Sequence, residues 1–366
     1  MTGDETSGRR KRLAVIGPSA AALARSRGGF IRDCIAVGHK VLALAPAVGA
    51  SASEGLLTLG AEVASFQLRP EGFKLFPRRA AIAALGEQLR AWHADGVLAF
   101  GAETGPMGII AARRAKIARR VLLINEIAAG GLTPAQRNAI AAARTVITHN
   151  EMDRRAVVAA AKSGTDVRCV TGSGIDLKEI TPSPLPEGDN QMIFLCCARL
   201  DRSKGVADYL QAASSLTAEG APARFILAGP DSIGETAIKT EQLSQHAAAV
   251  HYAGDRSDLA PLIASAHVVV SPSHREGMPQ AVLLGLAQGR PVIATDIPGS
   301  RDTVDEMVNG TLVAPGDAAD LADGFRRMIR NRALLPAMAR ASRAKAERGF
   351  DRARVTATLL DALGFA

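Results

Sequence analysis

The sequence predicts an α/β protein built from two doubly wound parallel sheets. Short apolar runs alternate with Ala-rich segments of helical period along both halves of the 366 residues. The apolar runs are continuous rather than interrupted by polar residues, which is typical of parallel strands covered on both faces. A proline-rich stretch at residues 180–190, ITPSPLPEGDN, separates the two series. We therefore expect two domains, over residues 1–180 and 181–349, that face each other across a cleft.

The predicted elements follow one another in order along the chain. The strands of the first domain are expected at Leu13–Gly17, Val41–Ala45, Val63–Phe66, Val97–Phe100, Val121–Ile124, Val146–Thr148 and Arg168–Val170. Those of the second are expected at Met192–Cys197, Arg224–Ala228, Val268–Val270, Pro291–Thr295 and Thr311–Val313. Its helices are expected at Gly205–Leu216, Asp258–Ser265, Gln280–Leu286, Ala318–Arg330 and Leu334–Arg348. A last helix at Val355–Leu363, within residues 350–366, is expected to pack back on the first domain.

The composition, 47% hydrophobic and 22% charged, is that of a soluble globular protein. No apolar stretch approaches the roughly 18 residues of a membrane-spanning helix, and the N-terminus lacks the pattern of a signal peptide. The four cysteines form no pair with metal-ligand spacing, so we expect reduced, buried thiols in a cytoplasmic protein.

Positive charge is concentrated in the first half of the chain. Residues 1–180 hold 25 Lys and Arg against 15 Asp and Glu, whereas residues 181–366 hold 19 against 21. A basic half is expected to meet an anionic partner, such as a membrane surface or a diphosphate-bearing acceptor. Nucleic acid is disfavoured, because aromatic residues are only 4% of the chain and do not interleave with basic ones.

Two segments of the second half carry residues suited to a phosphorylated ligand. Arg199 and Lys204 follow a predicted strand and can converge on a diphosphate, although strand-end cations are commonly just solvated. Glu276 lies in a turn, EGMP, between a strand and a helix. Its carboxylate can accept hydrogen bonds from sugar hydroxyls, or it can simply complement the dipole of the following helix. The glycine pair Gly28–Gly29 either lets backbone approach a ligand or serves a helix start.

These segments together resemble the family 4 glycosyltransferases. The resemblance is carried by the Gly28–Gly29 loop and then by the segments VTGSGIDL (170–177), ARLDRSKGV (198–206), FILAGP (225–230) and EGMPQAVLLGLAQGRPVIATDIPGS (276–300). The family consists of retaining enzymes of the GT-B fold, in which two Rossmann-like domains face each other across a cleft. The members most similar to this chain are bacterial enzymes that build surface polysaccharides on a polyprenyl diphosphate.

The resemblance implies roles for particular residues. It implies that Arg199 and Lys204 neutralise the diphosphate of a nucleotide sugar, expected to be a UDP-sugar, and that Glu276 contacts the sugar. It also implies that the backbone of Gly277, Met278 and Pro279 meets the sugar and phosphates, and that Gly28 and Gly29 approach the diphosphate. No bound metal is implied, so Arg, Lys and helix N-termini would stabilise the leaving group.

The sequence departs from the family pattern at two places. Leu284 stands where the second Glu of the motif E-x7-E is expected to bind the nucleotide ribose. In the first domain a His is expected after the fifth strand, and Asn125 and Glu126 stand there instead. Glu126 and Glu103 are candidate sugar or acceptor contacts, or satisfied strand-end carboxylates. His274 either lines the donor site or lies on the rim of its loop.

Two basic segments are candidates for docking on an anionic membrane. Ala111–Arg120 carries five cations and is expected to be a basic helix face, solvated or membrane-bound, and Phe73–Arg79 mixes aromatic residues with cations. The predicted protein is thus a glycosyltransferase attached peripherally to the inner face of the plasma membrane, acting on a lipid-linked glycan. The alternatives are a non-catalytic binding partner with a degraded donor site, favoured by Leu284, and a nicotinamide-dependent or epimerising enzyme. The nicotinamide-dependent enzyme is disfavoured because the sequence contains no GxGxxG motif.

Overall fold

The computed structural model describes residues 10–46, 50–68, 77–128, 130–188, 190–232, 234–256 and 258–366, with the backbone alone at 50–52 and 77. The chain divides into two compact units. Unit 1 comprises residues 1–173 and 352–366, and unit 2 comprises residues 174–351. The division therefore falls before residue 180, at Ser173 and Gly174.

Unit 1 contains a seven-stranded parallel sheet of order β3-β2-β1-β4-β5-β6-β7. Its strands are β1 (Arg12–Ile16), β2 (Lys40–Ala45), β3 (Glu62–Ser65), β4 (Gly96–Phe100), β5 (Arg119–Ile124), β6 (Thr145–Thr148) and β7 (Asp166–Cys169). The strand order reverses between β1 and β4, and the carboxyl ends of strands at such a point form a crevice where ligands commonly bind.

Helices cover both faces of this sheet. They are α1 (Ala20–Ala36), α2 (Ala50–Thr58), α3 (Pro77–Ala91), α4 (Thr104–Arg114), α5 (Pro134–Ile140), α6 (Glu151–Ala160) and the last helix of the chain, α14 (Arg352–Leu363). One core cluster packs α1, α2 and α14 against the sheet, and a second packs α3 to α6 against its other face. The continuous apolar strands of the sequence are thus buried from both sides.

Unit 2 contains a six-stranded parallel sheet of order β10-β9-β8-β11-β12-β13. Its strands are β8 (Met192–Cys197), β9 (Ala223–Ala228), β10 (Val250–Tyr252), β11 (Val268–Ser271), β12 (Val292–Thr295) and β13 (Gly310–Val313). The strand order reverses between β8 and β11. Strand β10 is short and was not predicted.

The helices of unit 2 again lie on both sheet faces, in two core clusters. They are α7 (Val206–Ala218), α8 (Thr240–Gln245), α9 (Ala260–Ala264), α10 (Gln280–Ala287), α11 (Pro298–Arg301), α12 (Ala318–Arg330) and α13 (Leu335–Gly349). No helix of the described residues is long and apolar enough to cross a membrane.

The proline-rich stretch at 180–190 does not join the two units, because it lies inside unit 2. The guanidinium of Arg290, which is fully buried, donates hydrogen bonds to the carbonyl oxygens of Ser183 (2.8 Å) and Pro184 (2.8 Å) and to Ser183 Oγ (2.7 Å). The stretch is therefore fastened to the unit, and its prediction as a linker between domains is wrong.

The expectation of buried thiols holds for only part of the cysteines. Cys34 and Cys196 are buried and Cys197 is half-buried, whereas Cys169 at the end of β7 is exposed. All four are free. Burial raises the pKa of Cys34 and of Cys197 to about 12, so these two thiols are protonated at neutral pH.

Candidate functional site

The candidate site of unit 2 lies where its strand order reverses. Arg199 and Lys204 belong to the loop between β8 and α7, and Glu276 belongs to the loop between β11 and α10. Because β8 and β11 are parallel neighbours, both loops leave the same edge of the sheet. The fold thus brings together the residues that the sequence singled out on separate segments.

A direct ion pair joins Lys204 and Glu276. Lys204 Nζ lies 2.7 Å from Glu276 Oε2 and 3.3 Å from the carbonyl oxygen of Arg275. The side chains are partly exposed, at 20% for Lys204 and 24% for Glu276. Ser273 Oγ also donates to Glu276 Oε2, at 3.4 Å. The ammonium group of Lys204 and the carboxylate of Glu276 are therefore in contact, and both side chains remain partly accessible to solvent.

Two glycines allow these loops to meet closely. Gly205 has a left-handed φ of 66°, and a Cβ there would lie 1.8 Å from the carbonyl oxygen of Pro272. Gly299, in α11, packs on the turn at Glu276, and a Cβ would lie 2.2 Å from its carbonyl oxygen. Any side chain at either position would push the loops of the site apart.

Asp201 organises the loop that carries Arg199 and Lys204. Its carboxylate accepts hydrogen bonds from the backbone and hydroxyl of Ser203 (2.8 and 2.6 Å), from Ser232 Oγ (2.9 Å) and from Thr236 Oγ1 (2.9 Å). Burial raises the pKa of Asp201, but these hydrogen bonds outweigh burial and hold the pKa well below its ordinary value. Asp201 is therefore a positioning residue that sequence reasoning missed.

Arg199 is exposed at the end of β8. Within the described residues its guanidinium makes no hydrogen bond or ion pair, so its five donors face solvent. Arg199 and Lys204 are thus a solvated cation and a paired cation on the same loop. The role that the resemblance implies for them stays a prediction.

The turn formed by Gly277, Met278 and Pro279 leads directly into α10 and is buried. Pro279 occupies the N-cap position without a side-chain hydrogen bond to the helix. The first N–H groups of α10 thus lack the side-chain acceptor that usually satisfies them, which suits an anionic ligand.

His274 is tied to α7 on the same edge of the sheet. Its Nε2 lies 2.6 Å from Asp208 Oδ2, and its backbone N–H donates to the carbonyl oxygen of Ser203 at 3.0 Å. His274 therefore links the two loops of the site. Whether it also touches a ligand stays a prediction.

Leu284 lies in the second turn of α10, half-buried against the core that surrounds the helix. A leucine side chain has no hydrogen-bonding atom. Position 284 is therefore an apolar part of the helix that starts at the site.

In unit 1, two of the candidate residues lie at the carboxyl edge of the sheet. Glu103 is exposed and precedes α4, with no side-chain hydrogen bond that caps that helix. Glu126 follows β5 and is half-buried. Both positions agree with the predicted strand ends, and their roles as sugar or acceptor contacts stay predictions.

The expected loop at Gly28–Gly29 is wrong. Both glycines lie inside α1, and the loop after β1 is Gly17–Ser19, which ends at the N-cap Ser19. A Cβ on Gly29 would lie 2.6 Å from Arg352 Cδ, so Gly29 makes room for the side chain of Arg352. Arg352 in turn pairs with Asp33 at 3.2 Å. The two glycines therefore serve helix packing.

A buried pair in unit 1, Arg27 and His149, was also missed. Arg27 Nη2 lies 3.2 Å from His149 Nε2, Arg27 Nη1 donates to Ser173 Oγ at 3.3 Å, and the two side chains are 1% and 6% exposed. Burial lowers the pKa of Arg27 to about 10. Burial, and then the charge of Arg27, lower the pKa of His149 to about 3, so His149 is neutral and accepts the hydrogen bond. The sequence contained a signal for the burial of Arg27, because this residue lies at helical spacing among the apolar residues of α1.

The segment Ala111–Arg120 is not a single basic helix face. Helix α4 ends at Arg114, Lys116 lies in the turn with φ of 60°, and Arg119 and Arg120 begin β5. Arg120 donates to the carbonyl oxygens of Ala142, at 2.7 Å, and of Ile117. In the second basic segment, Phe73–Arg79, residues 73–76 lie outside the described residues. Arg78 and Arg79 begin α3 and are exposed.

No metal site stands out beside these residues. The described residues contain no group of three or more His, Cys, Asp and Glu side chains placed to hold a metal ion. The expectation that the protein needs no metal is not tested by this observation.

Comparison with known proteins identifies part of the chain. Residues 191–331 match the family model of glycosyl transferases group 1. The chain is 29% identical over 146 residues to the N,N'-diacetylbacillosaminyl-diphospho-undecaprenol alpha-1,3-N-acetylgalactosaminyltransferase of Campylobacter jejuni, covering 40% of this chain and 38% of the relative. It is 27% identical over 226 residues to the putative glycosyltransferase EpsD of Bacillus subtilis, covering 59% of each. The chain thus spans between 38% and 59% of these two relatives' lengths.

Solved structures match nearly the whole chain. HepE of Anabaena in complex with UDP-glucose aligns with a TM-score of 0.78 at 20% identity, over 98% of this chain and 100% of HepE. The sucrose-phosphate synthase of Thermosynechococcus elongatus aligns with a TM-score of 0.75 at 16% identity, over 96% of this chain and 98% of the synthase. The predicted GT-B fold is confirmed, with a parallel sheet of seven strands in one unit and of six in the other.

Proposed function

We propose that this chain, whose residues 191–331 match the group 1 glycosyltransferases, transfers a sugar from a nucleotide diphosphate sugar to a glycan acceptor. The observation that carries the proposal is the ion pair of Lys204 with Glu276 where the strand order of unit 2 reverses. The exposed Arg199 lies on the same loop as Lys204. These residues offer cations to a diphosphate and a carboxylate to sugar hydroxyls within one site.

The donor would be a UDP-sugar bound to unit 2. The solved structures of HepE contain UDP and UDP-glucose, which supports this choice of nucleotide for a chain of the same fold. Arg199 and Lys204 would hold the diphosphate, together with the N–H groups at the start of α10. Glu276 would then exchange its contact with Lys204 for sugar hydroxyls. The turn at Gly277, Met278 and Pro279 would lie against the sugar and phosphates.

The reaction would break the bond between the anomeric carbon and the diphosphate and form a bond from that carbon to an acceptor hydroxyl oxygen. The proton of that hydroxyl would pass to an oxygen of the departing diphosphate. Negative charge grows on the departing diphosphate, and Arg199 and Lys204 would stabilise it. In this proposal no bound metal is needed, and the anomeric configuration is retained. Glu276, Arg199 and Lys204 are its catalytic residues.

The acceptor would be a lipid-linked glycan of bacterial surface polysaccharide synthesis. The name of the Campylobacter jejuni relative includes a diphospho-undecaprenol acceptor, which supports this class. The excess of Lys and Arg in residues 1–180 also suits an anionic acceptor and an anionic membrane surface. Glu103 and Glu126, at the carboxyl edge of the unit 1 sheet, would contact the acceptor. The protein would act at the cytoplasmic face of the membrane, attached peripherally.

Donor binding is tested by thermal unfolding with UDP, GDP, ADP, TDP, CMP and NAD. A ligand at 100 times its Kd adds about 2.7 kcal/mol to stability, which raises Tm by a few degrees. We expect UDP to raise the Tm of the wild type and to have little effect on Arg199→Ala. The matched control is Arg202→Ala, which removes an exposed Arg of the same loop and should keep the shift. Equal shifts in both variants would refute the assignment of Arg199.

Membrane attachment is tested separately by flotation with vesicles that contain anionic lipid. We expect the wild type to float, and the variant with Arg78, Arg79, Arg113 and Arg114 changed to Glu to stay at the bottom. Neutral vesicles are the control, because they should bind neither protein. If the variant floats as well as the wild type, these arginines do not form the docking surface.

A second candidate function is a non-catalytic sugar-nucleotide or glycan-binding partner. Leu284 favours it, because an apolar residue at this position offers no hydrogen bond to a ribose. The two functions differ in turnover, and release of UDP from a UDP-sugar in the presence of acceptor would exclude the second.

A further inference from the structure

Unit 2 contains a cavity of about 750 Å³ on the side opposite the candidate donor site. It lies between the proline-rich segment 182–187 and helix α13, and His267 and Gln288, which line it, stand before β11 and β12. The cavity is therefore at the amino edge of the sheet, whereas Lys204 and Glu276 are at the carboxyl edge. Its volume falls within the range of sites for small organic ligands.

The cavity has a buried hydrogen-bond acceptor without a donor. Gln288 lines the cavity and is 6% exposed. Its Nε2 donates to the carbonyl oxygen of Ala260 at 3.1 Å, which fixes the orientation of the amide. Its Oε1 is buried and has no hydrogen-bond partner among the residues that the structure describes. A buried carbonyl oxygen of this kind is normally satisfied. Because the atom is buried, it is not a contact for a ligand in the cavity.

Three arginines and two glutamates line the cavity, namely Arg332, Arg340, Arg343, Glu187 and Glu347. Arg332 donates to the carbonyl oxygen of Asn190 at 2.5 Å. Arg343 and Glu347 pair with each other at 2.6 Å, and Arg343 also donates to the carbonyl oxygens of Ile180 and Ala287. Arg340 lines the cavity from α13, is exposed and has no ion pair among the described residues. A guanidinium in this position is suited to a carboxylate, sulfonate or phosphate at the mouth of the cavity.

The remaining wall is largely apolar. Leu335, Pro336, Ala339 and Ala344 present one side of it from α13, and Leu185 presents the other from the proline-rich segment. Small side chains on α13 leave the space open, since a bulky residue at Ala344 would occupy it. An apolar body between these walls would bury surface that is now open to water.

We propose that this cavity binds an amphipathic organic anion. The ligand would place an apolar body between the proline-rich segment and α13 and its acidic group on Arg340. The assignment does not depend on the proposed glycosyl transfer, because no residue of the cavity belongs to the donor site.

The location of the cavity gives such a ligand a route to the donor site. Gln288 directly follows α10, and the turn at Glu276–Pro279 directly precedes it, so the eight residues of α10 connect the two. Helix α13, which forms one wall, also packs on α10. A ligand here would therefore lie at the C-terminal end of the helix whose first turn belongs to the candidate donor site.

The probe for the test is 8-anilinonaphthalene-1-sulfonate, which combines two aromatic groups, an N–H donor and a sulfonate. We expect calorimetric titration to show one site on the wild-type protein. Ala344→Trp should weaken binding at least tenfold by filling the cavity, and Arg340→Ala should weaken it about threefold, as for an exposed ion pair. The matched controls, Ala337→Trp on the exposed side of α13 and Arg330→Ala on α12, should bind as the wild type does.

Three results would overturn the proposal. The first is a wild-type Kd weaker than about 1 mM. The second is equal affinity in Ala344→Trp and Ala337→Trp, with both variants folded by circular dichroism. The third is equal affinity for N-phenyl-1-naphthylamine, which has the rings and the N–H but no sulfonate, since the anionic part of the assignment would then be wrong.

Discussion

At the scale of single residues, Leu284 bears most directly on donor binding. It is half-buried in α10, the helix that begins at the turn of Glu276, so a longer polar side chain can reach solvent from this position. If the ribose of the donor lies there, Leu284→Glu adds hydrogen bonds to a charged acceptor. We expect UDP to bind Leu284→Glu about tenfold more tightly than the wild type, measured by calorimetry.

The control for this change is Leu284→Met, which keeps an uncharged side chain of similar volume at the same position. It should leave the affinity for UDP near that of the wild type. An unchanged Kd in Leu284→Glu would mean that the ribose is held elsewhere.

His149 gives unit 1 a specific dependence on pH. Its pKa is about 3 in the folded protein, where burial and the charge of Arg27 lower it, against 6.5 in an unfolded chain. The unfolded state therefore binds more protons between these values. The contribution of His149 to the free energy of unfolding is complete above pH 6.5. It is lost as the pH falls towards 3, by at most about 1.4 kcal/mol per pH unit.

We expect the free energy of unfolding of unit 1 to fall less between pH 7 and pH 5 in His149→Gln than in the wild type. Glutamine keeps an oxygen that can accept the hydrogen bond of Arg27 without titrating in this range. The measurement is urea unfolding followed by Trp92, the single tryptophan of the chain, which lies in unit 1. The exposed His251 is the control, and His251→Gln should keep the wild-type slope. A parallel pH dependence in both variants would contradict the prediction.

At the scale of elements, Gly205 decides how closely the two loops of the candidate donor site approach. Gly205 and Gly220 flank α7 and share a left-handed φ, of 66° and 69°. A Cβ on Gly205 would meet the carbonyl oxygen of Pro272 at 1.8 Å, whereas a Cβ on Gly220 would meet nothing within 4 Å. The two positions therefore separate backbone strain from steric contact.

We expect Gly220→Ala to destabilise unit 2 by about 1–2 kcal/mol, the penalty of a left-handed alanine. Gly205→Ala should cost about 2 kcal/mol more, because the loops must also move apart. Thermal unfolding followed by far-ultraviolet circular dichroism measures the difference. Equal losses of stability in the two variants would show that the contact with Pro272 does not affect the stability of unit 2.

Arg290 holds the proline-rich segment to the sheet of unit 2. It is fully buried and donates to carbonyl oxygens of the segment and to those of Ile263 and Ala264, at 3.1 and 2.9 Å. Burial lowers its pKa to about 10, so it remains charged at neutral pH. We expect Arg290→Met to destabilise unit 2 by about 3 kcal/mol or more, since several buried carbonyl groups lose their donors.

The same substitution should expose the segment at residues 180–190 to protease. Limited proteolysis followed by mass spectrometry should find new cuts there in Arg290→Met and none in the control Arg330→Met, whose side chain is exposed. A segment that stays resistant in Arg290→Met would be held by other contacts.

Much of the fold was predictable from sequence because its strands are continuous apolar runs. All seven strands of unit 1 and five of the six of unit 2 lie at the predicted positions. The exception, Val250–Tyr252, has three residues with an exposed His251 between them, too short for a periodic signal. Gly28 and Gly29 were placed in a loop because glycine commonly breaks helices. The packing of Gly29 against Arg352 involves a residue more than 300 positions away, which local patterns cannot reveal.

The candidate donor site was predictable for a different reason. Its residues follow predicted strands, and the carboxyl ends of parallel strands meet at one edge. Asp201 and the pair of Arg27 with His149 were missed, since their importance comes from hydrogen bonds between distant segments. The Arg290 clamp was missed for the same reason, and the proline-rich composition alone suggested a linker.

At the scale of the whole molecule, the chain returns to unit 1 for its last residues. Helix α14 adds Val355, Leu359 and Leu363 to the core cluster that contains β1 and β4. Leu359 is fully buried. Unit 1 is thus complete only when the last helix, which follows all of unit 2 in sequence, has packed on it.

This topology predicts that shortening a buried side chain of α14, near the C-terminus, lowers the stability of unit 1. We expect Leu359→Ala to destabilise unit 1 by about 2–5 kcal/mol, the range for a buried leucine, and to lower the urea midpoint of Trp92 fluorescence. Leu286→Ala removes an equally buried leucine from α10 in unit 2 and is the matched control. Because Trp92 belongs to unit 1, its midpoint should fall further in Leu359→Ala than in Leu286→Ala. The reverse order would mean that the core under α14 contributes less to unit 1 than its burial indicates.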